Sequence, residues 1–454
     1  MEEKNDTRAD IELDVKRAFE DELKERQELL DRIAVAESAR DAGEETDVIS
    51  LAHDYFTLAL EAQEVDDYEK TGEILEKVIN LLGTVSFPTD EMILLLAQAR
   101  LTYGIVFNDQ GMWNDALAEY DTAESLLEKL SDAGNLDARL DLAGIRLNIA
   151  TIKFELGEYS DSMAAFEQVK SDFASLFGTP KEAEAYYYLA KTYMQEALVC
   201  REIGEDEKGI QRLEEGIALY RKMIEQGDAE QSIDLAQALA VYSQTIECSG
   251  GKEPAEILPF VEESIVRLRE GIGAGRADVC PDLLTISVMK GRLLNYLDRR
   301  EESEEFLTET AEIFDGVQET DDPEALLTFI TLYDERGKSR YARENLEEAL
   351  ADFTEAAQIA ARLPPDFYEN YGHGHDCDDE CCCGHLHVLR AEGLLDLFSV
   401  YVNRAKVLRL LNRLDDAKGD CAEAAKILSQ VKDYLEDDYQ GYLDIYDALV
   451  KSLS

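Results

Sequence analysis

Apolar residues recur along this chain at the three-to-four-residue spacing of amphipathic helices. The charged N-terminal stretch carries Ile11, Val15, Phe19, Leu23, Leu30 and Ile33 on one helical stripe. The final segment, from 433 to 454, reads as a polar-faced helix with Tyr434, Tyr439, Tyr442 and Tyr446. Between these ends, small residues keep a frame: Ala59, Gly104, Ala150, Ala197, Ser243, Gly291, Gly337 and Ala405, at steps of 45 to 48 and a last step of 68. Twelve residues beyond each stands Thr71, Ala116, Ser162, Gly209, Ala255, Ser303, Ala349 or Ala417. All sixteen positions are small.

Such a frame predicts an all-α solenoid of about eight stacked helix-turn-helix units. A small residue on helix A and another on helix B let two axes approach closely. A bulky residue four positions later on B (Leu75, Tyr120, Phe166, Leu213, Leu307, Phe353) fills the remaining space. Gln110-Gly111 and Leu156-Gly157 carry the chemistry that stops a helix between A and B. One unit cannot bury its own apolar face, so stacking makes the core. Residues 1–46 are expected as an N-terminal capping helix, 47–432 as the array, and 433–454 as the C-terminal cap.

Segments 104–123, 150–169 and 337–356 resemble the tetratricopeptide repeat family, and the resemblance extends over about 59–428. The period near 46 exceeds the family's ~34, the proline that usually ends a repeat is mostly absent, and the fifth unit has Pro259 where a bulky residue is expected. The resemblance implies that helix A lines a concave ligand surface.

Charge narrows the function. The 45 Lys and Arg stand against 99 Asp and Glu, a net of −54, which would be repelled by nucleic acid and by anionic membranes. No run approaches the ~20 apolar residues of a membrane span; Met92 to Ala97 suits a buried helix. The charged start MEEKNDTRAD, with no apolar stretch behind it, suggests the cytoplasm. There Cys200, Cys248, Cys280 and Cys421 are expected as buried thiols. GIGAG (271–275) lacks the strand and spacing of a dinucleotide loop and reads as an inter-repeat loop. His53 reads as a helix-face residue, and nothing supports a catalytic triad or an NTPase loop. The chain is not expected to be an enzyme.

Two features carry candidate chemistry. The long last step hides an insert, 364–388, that opens with Pro364-Pro365 and contains NYGHGHDCDDECCCGHLH. His373, His375, Cys377, Cys381, Cys382, Cys383, His385 and His387 are eight donors of the kind that hold zinc or another thiophilic metal. Gly372, Gly374 and Gly384 leave the backbone free to wrap, and Asp376, Asp378, Asp379 and Glu380 attract a cation. The tract resembles metal-storing loops of some metallochaperones by composition, without a zinc-finger spacing.

The second feature is a local charge inversion. In the ten-residue window around the small residue of helix A, the first five units hold two cations, Lys153 and Arg201. The last three hold eleven: Lys290, Arg292 and Arg299; Arg336, Lys338, Arg340 and Arg343; Arg404, Lys406, Arg409 and Arg413. Either they pair with acids of neighbouring helices, or Arg292, Lys338, Arg340, Lys406 and Arg409 line a groove for an acidic segment or C-terminal carboxylate of a protein or peptide. The leading expectation is a non-catalytic interaction scaffold; the alternative is a metal-handling protein that presents the insert.

Overall fold

The computed structural model describes residues 24, 26–44, 46–63, 67–228, 231–250, 252–314, 322–363, 384–432 and 439–453, with the backbone alone at 277, 324 and 384–393. Among the described residues the regular structure is helical. The chain divides into two compact units, Met1–Thr192 and Tyr193–Ser454.

The first unit holds α1 (26–41), α2 (Val48–Gln63), α3 (Tyr68–Gly83), α4 (Asp90–Asp109), α5 (Trp113–Asp132), α6 (Leu136–Glu155), α7 (Tyr159–Ala174) and the start of α8 (Glu182–Glu202). The second holds the rest of α8, then α9 (Asp206–Glu225), α10 (Ser232–Ser249), α11 (Pro254–Gly273), α12 (Cys280–Tyr296), α13 (Arg300–Ile313), α14 (Pro323–Ala342) and α15 (Leu346–Ala360). It ends with α16 (Gly384–Leu410), α17 (Leu414–Val431) and α18 (Tyr439–Ser452). Within each unit, consecutive helices pack on one another as pairs.

The small-residue frame is what closes these pairs. A Cβ added at Gly337 would lie 2.6 Å from the Phe353 ring, one at Gly291 would lie 2.5 Å from Leu307, and one at Gly104 would collide with Tyr120. The bulky B residue therefore occupies the volume that a larger A residue would take. Where B carries serine, its hydroxyl donates across the pair: Ser162 to the Ala150 carbonyl at 2.7 Å and Ser303 to the Gly291 carbonyl at 2.9 Å. In seven of the eight units the small B residue is the fourth residue of its helix.

The fifth unit departs from this register. Ala255 is exposed, and the fourth residue of α11 is Ile257, with Val261 buried four positions on. Gly250 adopts a left-handed φ of 63°, but the helix cap follows at Glu253, two residues later than in the neighbouring turns. The unit is shifted by a longer turn, which puts the larger Ile257 where the other units have a small residue; Pro259 sits inside α11 on an exposed face.

Other expectations are corrected in detail. On α1 the buried residues are Leu29 and Ile33, while Leu30 is 40% exposed. Gly271–Gly273 belong to the last turn of α11, where Gly271 meets Ile233 of α10, so the loop of GIGAG is confined to its end. Cys200 and Cys421 are buried, but Cys248 is exposed and Cys280 half-buried. At the other end α18 closes the second unit, with Leu449 and Leu453 buried and Tyr439, Tyr442 and Tyr446 packed on the same cluster. No described helix is long and apolar enough to cross a membrane.

Helix A of one pair also packs on helix A of the next: α2 on α4 and α4 on α6 in the first unit, α10 on α12, α12 on α14 and α14 on α16 in the second. Successive B helices show no comparable packing among the described residues. The A helices therefore lie closer together than the B helices and form the inner, concave face of each unit.

Candidate functional site

Most of the cations that the sequence singles out are engaged within the fold. The residue before the small position on A meets the residue three after the small position on B. Arg336 pairs with Asp352 at 2.6 Å, and Arg404 with Asp420 at 2.6 Å. The fourth unit uses the same two positions with the signs exchanged, Glu196 and Arg212 at 2.9 Å. Lys290, at the equivalent place on α12, pairs with Glu262 and lies over the Phe306 ring. Arg340 bridges Glu304 and Asp352, Arg343 holds Glu301 and Glu304, Arg299 pairs with Glu302, and Arg413 with Asp416. Asp352 is buried; burial raises its pKa, and Arg336 and Arg340 oppose that rise.

One position after the small residue stand Arg292, Lys338 and Lys406, on α12, α14 and α16, facing the concave side of the second unit. They differ in how far they are satisfied. Lys338 lies 2.7 Å from Asp334 and 2.9 Å from Glu335. Burial alone would depress its pKa, but these two carboxylates hold it well above the usual lysine range. Asp334 also accepts hydrogen bonds from Ser399 and Asn403 of α16, and Glu335 accepts one from Asn295 of α12. Burial would raise Glu335, yet Lys338 and Asn295 bring it below the ordinary range. Asn295, Ser339 and Ser303 complete a buried polar network beneath this pair.

Arg292 is looser. Its Nε is 3.8 Å from Glu247 of α10, beyond hydrogen-bond range, and both Arg292 Nε and Glu247 Oε1 are buried atoms without a hydrogen-bond partner. Its side chain remains 36% exposed. Burial raises the Glu247 pKa, with Arg292 opposing. Lys406 donates only to Asn403, at 3.3 Å, and has no ion pair among the described residues. Burial and then the nearby Lys338 lower its pKa, with Asp334 acting the other way. Arg409, one turn on, is half-buried with Nε unpartnered. Asp396, ten residues before Lys406 on α16, is open to water and accepts one long hydrogen bond, 3.4 Å from Thr331. Surrounding protein pushes its pKa up to about 6, Arg292 and Lys338 lower it, and Asp334 and Glu335 raise it.

Arg292, Lys338 and Lys406 stand at the same register on three successive A helices, beside Glu247, Asp334, Glu335, Asp396, Asn295 and Asn403, which the sequence pattern did not single out. A signal for several was present: Asp334 precedes Gly337 by three residues, Asn403 precedes Ala405 by two, and Asn295 follows Gly291 by four. Those offsets share a helical face with the position after the small residue. Six of the eight expected metal ligands, His373, His375, Cys377, Cys381, Cys382 and Cys383, lie outside the described residues. His385 and His387 fall in the first turn of α16, in the stretch described by backbone alone. Among the described residues no group of His, Cys, Asp and Glu is arranged to hold a metal ion.

Paired helices, a small residue on each, a bulky plug between them and an inner line of A helices together define the repeat. It is tetratricopeptide-like. No protein-family model matches the chain, and no curated protein does. Among solved structures, the apo form of RapI is 12% identical with a TM-score of 0.49, covering 89% of this chain and 98% of that one. A Rap protein complexed with competence and sporulation factor is 12% identical with a TM-score of 0.43, covering 88% and 99%. The apo form of the quorum sensor NprR from B. thuringiensis is 15% identical with a TM-score of 0.42, covering 84% and 100%. At that distance, the TPR-like assignment stands on this chain's own frame and contacts.

Proposed function

We propose that this protein is a non-catalytic interaction scaffold whose TPR-like second unit holds a segment of a partner protein on its A-helix face. The observation that carries the reading is selective dissatisfaction. Arg336, Lys338, Arg340, Arg343 and Arg404 are locked by carboxylates, whereas Lys406 and Arg409 have no ion pair among the described residues and Arg292 only a loose one. A half-buried cation left unpaired lowers stability, and a ligand that supplies its partner recovers that energy. An acidic side chain or a terminal carboxylate of the partner fits Lys406 and Arg292; nucleic acid and anionic membrane do not fit a chain of net charge −54.

A random dodecapeptide display library, selected on immobilised protein at physiological salt, tests this. Enriched peptides should bind the wild type and be lost on the Arg292→Glu/Lys406→Glu double variant, checked as folded by its helical circular dichroism. Retention on the double variant would remove the groove from the binding site.

A second reading has its own support. The donors of 373–387 run into the first turn of α16, whose 27 residues make it six longer than α8, the next longest helix among the described residues with 21. The same helix carries Asp396 and Lys406. On this reading the protein handles or senses a thiophilic metal.

A further inference from the structure

We infer that the ligand of this groove is a dipolar extended segment, carrying a lysine or arginine that docks at Asp396 and, four or five residues away, an acidic group that docks at Lys406. The inference rests on the groove reading above and adds the chemistry of the ligand.

Among the described residues, α16 carries an acid and a base without a close ion pair, Asp396 near its middle and Lys406 in its last turns, with Arg409 one turn beyond. Lys338 is shared by Asp334 and Glu335, and Asp334 is further held by Ser399 and Asn403. Arg292 is the guanidinium near both Glu247 and Asp396 among the described residues, and it stands by Glu247. Arg292 and Lys338 act on Asp396 from a distance, and among the described residues its hydrogen-bond donor is the Thr331 hydroxyl. Lys406 is left with an amide oxygen. These two cannot satisfy each other. Ten residues along a helix separate them by about 15 Å at 1.5 Å per residue, and Ser399 and Asn403 lie between them on the same stripe, turned toward α14. An extended chain rises ~3.3 Å per residue, so four or five residues span that distance. A purely acidic ligand would meet Lys406 but would also face Asp396 and Glu247. A purely basic one would meet Asp396 but face Lys406, Arg409 and Arg292.

The sign of one substitution decides. Peptides selected from the dodecapeptide library on the wild type should pair Lys or Arg with Asp or Glu four or five positions apart. One such peptide, synthesised and titrated by fluorescence anisotropy, should bind Asp396→Asn and Lys406→Met each about tenfold more weakly, as expected when one partner of a partly desolvated pair is removed. If the selected peptides are acidic only and Asp396→Asn binds them as well or more tightly, the dipolar ligand is wrong and the groove reading stands. If they are basic only and Lys406→Met tightens binding, the dipolar ligand and the docking of an acidic group at Lys406 both fall. If enrichment on the wild type does not exceed that on Arg292→Glu/Lys406→Glu, both fall together.

Discussion

Asp396 combines an exposed carboxylate with a pKa of about 6, well above the 3.8 of an unperturbed aspartate. Crowding by protein, and by Asp334 and Glu335 on α14, outweighs the attraction of Lys338 on α14 and Arg292 on α12. The folded state then binds more protons than the unfolded state between those two values, so this group's contribution to stability falls as pH rises through that window. Above pH 6 the ionised carboxylate is a net penalty. Asp396→Asn should accordingly raise Tm at pH 7.5 and leave it unchanged near pH 3.5, as read by thermal melts of both proteins. A lower Tm at pH 7.5 would mean that Asp396 is satisfied within the fold. A gain in stability together with a loss of peptide binding is the signature of a residue kept for its ligand.

At the scale of elements, the turns from A to B show one geometry with two chemistries. Gly111, Gly157 and Gly204 take left-handed φ of 71° to 74°, and in the last three units Asp298, Glu344 and Asn412 take 58° to 64°. In each, the next residue's N–H reaches back to a carbonyl five residues earlier, as Glu158 does to Lys153 at 2.8 Å and Asn345 to Arg340 at 2.9 Å. That bond defines the helix stop, and a side chain with a Cβ is strained there by roughly 1–2 kcal/mol. Glu344→Gly should therefore stabilise the protein, by up to about 1 kcal/mol after the added freedom of the unfolded chain is subtracted. Gly157→Ala should destabilise it by about 1 kcal/mol. Urea unfolding of the two variants beside the wild type tests the pair; the same sign for both would contradict the shared turn geometry.

For the whole molecule, the Cys/His-rich insert should be separable from the fold. It joins α15 to α16, and doubling a flexible loop costs only ~0.6 kcal/mol. Deleting 370–383, all of which precede α16, should leave Tm of the metal-free protein within about 2 °C. The intact protein should bind zinc with release of protons, since thiols ionise when they coordinate. Calorimetry in buffers of different protonation enthalpy measures that release. Cys377→Ser, Cys381→Ser, Cys382→Ser and Cys383→Ser combined should abolish it. Undiminished binding by the quadruple variant would show that thiolates are not the ligands.

The small-residue frame, its partners twelve residues on and the bulky plug at Leu75, Tyr120, Phe166, Leu213, Leu307 and Phe353 were legible from the sequence alone. Close helix packing demands small volumes at fixed positions, and volume is a property of the residue itself. The face shared by Arg292, Lys338 and Lys406 was legible for a similar reason, because helical periodicity assigns it without reference to any neighbour. Whether those cations were free could not be read that way. Arg336 finds Asp352 sixteen residues away on the other helix of its pair, and Lys338 is held by Asp334 and Glu335 on its own helix, while Asp396 and Lys406 of α16 have no ion pair among the described residues. The fourth unit's exchanged pair, Glu196 with Arg212, shows why a count of cations on helix A misleads: charge balance is settled between helices. The slipped register at Ile257 has the same origin, since a two-residue longer turn moves every contact of α11 while the spacing of small residues persists. Tertiary structure decided satisfaction and register, because both depend on what each side chain meets across a helix interface.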